Sequence, residues 1–212
     1  MPKLIPRTVP GRVTAAVSVL AVAAVIAAVA VAAGRGAPSP ASSSGGQAQA
    51  AGSTVATGVT TYAAGRRAAA PDLSGPTLTG GQLALAQERG HVVVLNFWAS
   101  WCGPCRGEVP GLEQAYQAFA GRGVEFVGVD VADQAAAASG FARSYAMSYP
   151  SLQDPDQKLI LQLKDVVPPD DVPSTLVLDP QGGIAVRVIG PVTQQQLTAQ
   201  LDALLAQDPP QS

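Results

Sequence analysis

The sequence predicts an α/β domain in which helices flank a central mixed β-sheet, set behind an N-terminal membrane segment and a flexible linker. Three observations support this. Strand-like and helix-like runs alternate between residues 91 and 145. A hairpin signal followed by a helical one closes the chain. Every aromatic residue except Tyr62 lies between Phe97 and Tyr149, so the side chains that can build a core fall after about Ala70. Alternating strands and helices favour parallel pairing, and a terminal hairpin adds antiparallel strands, hence a mixed sheet.

Lys3, Arg7 and Arg12 precede an uncharged run from Val13 to Ala33. As a helix its 21 residues would span about 31 Å, close to a bilayer core of about 30 Å. Cations on the leading flank place the rest of the chain outside the cytoplasm. Residues 1–33 are therefore read as a signal peptide or signal anchor. The length of the run favours a retained anchor on the outer face of the cell membrane. Ala28-Val29-Ala30 and Ala30-Val31-Ala32 have the small-x-small form of a cleavage site, and a secreted or periplasmic product is the alternative. Residues 34–70 are rich in Gly, Ser, Ala, Pro and Gln and are expected to be a flexible linker. The folded domain is expected over 71–207, with a short tail at 208–212.

Within the domain, Leu73–Leu78 reads as a short strand or hairpin and Gln82–Glu88 as a short helix. His91–Trp98 is a dense β-branched run, which fits a strand buried on both faces. Gly103–Ala120 is helical, since Val109, Leu112, Tyr116 and Phe119 recur at spacings of three and four. Val124–Asp130 is a strand, Ala132–Tyr145 a helix and Asp156–Leu163 a weaker one. Ser174–Leu178 and Ile184–Ile189 flank Asp179-Pro-Gln-Gly-Gly183, a turn sequence that makes them a hairpin. Thr193–Ala206 is a last helix, with Thr193 as its cap.

The net charge of −2 gives no electrostatic reason to recruit nucleic acid. Chemistry concentrates in Trp101-Cys102-Gly103-Pro104-Cys105, which follows the buried strand and opens a helix. Cys102 lies at the helix N-terminus, where free backbone N–H groups and the dipole favour a thiolate. Cys105 is one turn on and within reach of the Cys102 sulfur. Pro104 falls where a missing N–H costs little. The pair can exchange disulfides: Cys102 attacks a partner's disulfide, and Cys105 resolves the mixed disulfide. Two other readings compete. A zinc site needs further ligands, yet the chain has two cysteines and one histidine, His91. A purely structural disulfide would close too small a loop to constrain the unfolded chain much. No metal or cofactor is expected.

Asn96-Phe-Trp-Ala-Ser-Trp-Cys-Gly-Pro-Cys105 resembles the active-site segment of thioredoxins, and Glu108, Pro110 and Leu112 extend the likeness to the TlpA subfamily with its ResA-type cytochrome c maturation proteins. The resemblance covers about Ala70 to Gln207 and implies a thioredoxin-like fold. It also implies that Val172-Pro-Ser-Thr175 is a cis-proline loop, with Pro173 cis and facing the cysteines and Val172 offering backbone groups to a partner. Trp101, Gly103, Pro104, Val172 and Pro173 would then bind the substrate, a protein thiol or disulfide. An integral-membrane thiol reductase (CcdA/DsbD-like) would supply electrons. Two departures matter. Asn96 stands where thioredoxin carries a buried aspartate, and an amide cannot take a proton from Cys105. Glu108, three residues after Cys105, is then either the missing base or a solvated charge complementing the helix dipole.

Less weight falls elsewhere. Trp98 is core or partner guide, His91 a surface residue at the strand edge, and Asp165, Asp170 and Asp171 loop charges. Three functions follow: a membrane-tethered reductant of exported proteins, including apocytochrome c; an oxidant or isomerase; and a metal-delivery module on the same fold. No lone peroxidatic cysteine supports a peroxidase. The Gly-Pro dipeptide matches reducing thioredoxins and favours the first.

Overall fold

The computed structural model describes residues 58–209. The expected membrane segment and residues 34–57 of the expected linker lie outside them. Among the described residues no helix is long and apolar enough to cross a membrane.

The central strand β4 (Val92–Trp98) is buried at all seven positions. Its β-branched residues suit a pleated surface covered on both sides. It pairs in parallel with β5 (Val124–Val131) and antiparallel with β7 (Ser174–Leu178). With β1 (Gly58–Thr61), β6 (Ser151–Asp154) and β8 (Ile184–Ile189) they form one mixed sheet in the order β1-β8-β7-β4-β5-β6. The outermost register runs Gly58 to Ile189, Ile189 to Ser174 and Ser174 to Phe97. A separate hairpin joins β2 (Ser74–Pro76) to β3 (Gln82–Ala84).

Alternation along β4 divides the core. Val93, Leu95 and Phe97 pack into a layer with Leu73, Ile160 and Leu163. Val92 and Val94 face α1 (Gly103–Phe119) and α3 (Gln194–Gln207) through Leu112, Phe119, Leu197 and Leu201. A third cluster joins Trp98, Cys102, Cys105 and Val109 to Phe141 of α2 (Ala135–Ser144). Trp98 is fully buried and stacks on Phe141 at 5.0 Å, which places it in the core. Thr193 caps α3 in a reciprocal capping box with Gln196.

Several elements depart from the sequence reading. Residues 58–70, expected as linker, belong to the fold instead: β1 completes the backbone hydrogen bonds of β8 and Ala70 is buried. Arg67 explains why this stretch is held: its guanidinium reaches Tyr62 O, Asp179 and Asp208. Asp208, expected in a free tail, is therefore tied down at the end of α3. Gln82–Ala84 is a strand, leaving only Leu85–Glu88 as a 3₁₀ turn, since pairing with β2 overrides the helical leaning of Gln, Leu and Ala. The helix expected over Asp156–Leu163 shrinks to a 3₁₀ turn at Ile160–Leu163, where Asp154 accepts the amides of Leu159 and Ile160. Helix α2 begins at Ala135 and not Ala132, whose φ of 50° is not helical.

Candidate active site

The C-terminal end of β4 delivers the chain into Ala99-Ser100-Trp101, and α1 starts at once. Cys102 is the N-cap of α1, with Pro104 in its first turn. The Cys105 amide donates to Cys102 Sγ at 3.2 Å, so a backbone N–H already points at the sulfur that would carry charge. The two cysteines form a disulfide with Cα atoms 5.4 Å apart. Cys102 is 3% exposed and Cys105 fully buried. Such an arrangement can accept or release two electrons, and the outer sulfur is the one a partner meets first.

Around it, Trp101 is 55% exposed, and its indole N–H donates to Ala132 O at 3.1 Å. Gly103 and Pro104 are exposed on the same turn. The Val172–Pro173 peptide is cis, and Pro173 is buried. The half-buried Val172 packs against the cluster that contains both cysteines. Trp101 before α1 and Gly103 and Pro104 in its first turn thus flank the disulfide, and Val172 reaches the same cluster from the loop that holds the cis Pro173. His91 sits at the other end of β4, half-buried and away from the cysteines.

Glu108 is 4% exposed. It is not the solvated charge that one sequence reading allowed. Asn96 Nδ2 donates to Glu108 Oε1 at 2.9 Å and to Thr175 Oγ1 at 3.1 Å, and the Val192 amide donates to Oε2 at 3.0 Å. Burial pushes the Glu108 carboxyl up to about 7, against the lowering effect of the Val192 and Asn96 hydrogen bonds. Asn96 therefore orients a carboxyl group that comes from the helix, where thioredoxin places its acid on the strand. Beside Glu108 a groove of about 420 Å³ runs along Pro104, Gly107 and Gly111 to Pro191 and Val192.

The sequence reading missed Thr175 and Val192 as partners of this pair, because both arrive from distant strands and loops. It also missed Asp133, whose Oδ2 accepts the Ser100 amide at 2.6 Å, and the buried Asp130 behind it. An acid ending the apolar Phe126-Val-Gly-Val129 run at Asp130 was the available signal.

Residues 67–187 match the AhpC/TSA family. The thiol-disulfide oxidoreductase ResA of Bacillus subtilis is 33% identical over 128 residues, 60% of this chain and 69% of that protein. The thiol:disulfide interchange protein HelX of Rhodobacter capsulatus is 38% identical over 118 residues, 55% of this chain and 62% of that one. Among solved structures, a DsbF homologue from Corynebacterium diphtheriae superposes with a TM-score of 0.67 at 35% identity, covering 72% of this chain and 96% of that one. A secreted thiol-disulfide isomerase from Corynebacterium glutamicum gives 0.66 at 31% identity, covering 73% and 93%.

Proposed function

Because the chain belongs to the AhpC/TSA family and is a thiol–disulfide oxidoreductase of thioredoxin-like fold, we propose that it acts outside the cytoplasm as a membrane-tethered reductant of disulfides in exported proteins, apocytochrome c among them. The observation that carries this is the Cys102–Cys105 disulfide at the start of α1 with the buried Glu108 one turn below it. A neighbour described as secreted supports the location, and relatives described as a thiol-disulfide oxidoreductase and a thiol:disulfide interchange protein support thiols and disulfides as the reacting groups of the client.

The reaction begins from the dithiol. The Cys102 thiolate attacks one sulfur of the client disulfide, and the other client sulfur leaves as a thiolate and takes a proton. Cys105 loses its proton and attacks Cys102 Sγ. The client's second thiol is released, and the Cys102–Cys105 disulfide forms. Two electrons pass from the cysteine pair to the client. Glu108, poised near neutrality by burial, is the group that takes the Cys105 proton. Trp101, Gly103, Pro104, Val172 and Pro173 bind the client chain. A CcdA/DsbD-like membrane thiol reductase restores the dithiol.

An oxidant or isomerase role is the second reading, favoured by the isomerase described from Corynebacterium glutamicum. The reduction potential separates them. A value at or below the thioredoxin range of about −270 mV fits the reductant, and one near the DsbA value of about −120 mV overturns it. Clients captured as mixed disulfides by Cys105→Ser, isolated from membranes, would then name the substrate class directly.

A further inference from the structure

Both oxygens of the Glu108 carboxyl group are held, and each bond leads back to the loop of the cis peptide. Oε1 accepts one N–H of Asn96 Nδ2 at 2.9 Å, and the same nitrogen donates to Thr175 Oγ1 at 3.1 Å. Oε2 accepts the Val192 amide at 3.0 Å. Thr175 stands two residues after the cis Pro173 and directly opposite Asn96 in the antiparallel register of β4 and β7. Two residues before Val192, the Gly190 amide donates to Pro173 O at 3.0 Å. Asn96, Glu108, Thr175 and Val192 are all buried, Thr175 completely.

The Asn96 amide is held on its nitrogen side. Its Oδ1 is buried and finds no hydrogen-bond partner among the described residues. The last torsion of an asparagine side chain is soft, so one bond to Glu108 leaves the amide plane free to turn. Thr175 Oγ1 is the second point that fixes the plane, and strand pairing sets it there whatever the charge on Glu108. An N–H aimed at a carboxylate favours its charged form. No Lys or Arg among the described residues forms an ion pair with Glu108 to the same effect. The titratable neighbours in this part of the core are Tyr149 and Glu113. Burial keeps the Tyr149 hydroxyl protonated. Against burial, the bonds from Ser148 and Gln117 hold Glu113 below the usual carboxylate range.

We propose that Thr175 is a positioning residue for Glu108: its hydroxyl oxygen fixes the plane of the Asn96 amide, so that Asn96 presents an N–H to the Glu108 carboxyl, and it acts from the strand that continues the cis-proline loop. Without that oxygen the amide turns, its bond to Glu108 weakens, and Glu108 holds its proton to higher pH. The effect on client reduction rests on the reading that Glu108 takes the Cys105 proton. The chain of hydrogen bonds does not, since it stands in the oxidised protein.

The test uses that form, in which neither cysteine titrates. Glutamate labelled with carbon-13 at its side-chain carboxyl is followed by NMR from about pH 5 to 10, and the Glu108 signal is the one lost in Glu108→Gln. In the wild type it should titrate with a midpoint of about 7. In Thr175→Val the midpoint should lie about one pH unit higher. In Thr175→Ser, which keeps the oxygen, it should return to the wild-type value. In an Asn96→Ala background, Thr175→Val should add nothing, because the amide it acts through is gone. A wild-type midpoint in Thr175→Val, a serine variant shifted as far as the valine one, or the full valine shift in the Asn96→Ala background overturns the proposal. If Asn96→Ala fails to fold, the valine and serine variants decide. The two readings fail separately. Insulin reduction slowed in Glu108→Gln with an unmoved Thr175→Val midpoint keeps the base and removes Thr175. A moved midpoint with a wild-type rate in Glu108→Gln keeps Thr175 as the group that positions the carboxyl and removes the base.

Discussion

At Cys102 the α1 N-terminus supplies an N–H to the sulfur, whereas Cys105 is sealed in the core. The two cysteines should therefore fail differently. Cys102→Ser should abolish insulin reduction, and Cys105→Ser should accumulate mixed disulfides visible on non-reducing gels. Equal trapping by both would remove Cys102 as the attacker. Glu108 carries the next prediction. Glu108→Gln loses the titrating group and one of its two hydrogen bonds, since an amide cannot accept with both ends. The rate of insulin reduction at neutral pH should fall by about tenfold to a hundredfold. The wild-type rate should also rise through about pH 7, where the carboxyl ionises, and the variant should lack that rise. A variant with the wild-type rate and profile would leave Glu108 a structural role only. At this scale the cysteines were legible because their signal is local, two residues in one turn. The burial of Glu108 was not, because it depends on Val192 and Asn96, far apart in the chain and joined only by folding.

The strands and helices written in long, one-sided patterns were legible: β4 by its β-branched run, α1 by its spacing of three and four, β7 and β8 by the Asp-Pro-Gln-Gly-Gly turn between them. β1, with Gly-Val-Thr-Thr, and β6, with Ser-Leu-Gln-Asp, have no such pattern. They are strands because an existing edge offers unpaired N–H and C=O groups, which no local window reveals. Contacts between elements give a sharper test. Gly128 on β5 sits where an added Cβ would lie 2.2 Å from Ser151 Oγ and 2.8 Å from Trp98 Nε1. Both neighbours are buried, so Gly128→Ala should cost about 1–3 kcal/mol by urea denaturation. Thr193→Ala removes the α3 capping box and should cost about 1 kcal/mol in the same measurement.

Two buried acids make the stability of the whole domain depend on pH. Glu108 and Asp130 hold protons in the folded state that the unfolded chain gives up above about pH 4. The unfolded state then binds fewer protons, so stability falls as pH rises through 7 and 8. For Glu108 alone the loss is about 3 kcal/mol. The oxidised protein should melt at a higher temperature near pH 5 than near pH 9, and a flat profile would mean that neither acid stays neutral in the fold. Arg67 joins the segment leaving β1, the hairpin turn and the end of α3 through Asp179 and Asp208. Arg67→Ala leaves Asp179 buried without its cation and should cost about 3–5 kcal/mol. The register from Phe97 through Ser174 and Ile189 to Gly58 has a further consequence. Three strand spacings put Gly58 about 14 Å from Phe97, on the rim from which the cysteines open. If the domain is tethered as proposed, the tether meets it at the mouth and not at the back of the head. Under the membrane tether proposed above, shortening residues 34–57 should press that mouth against the membrane, so that bulky clients are turned away while dithiothreitol still enters.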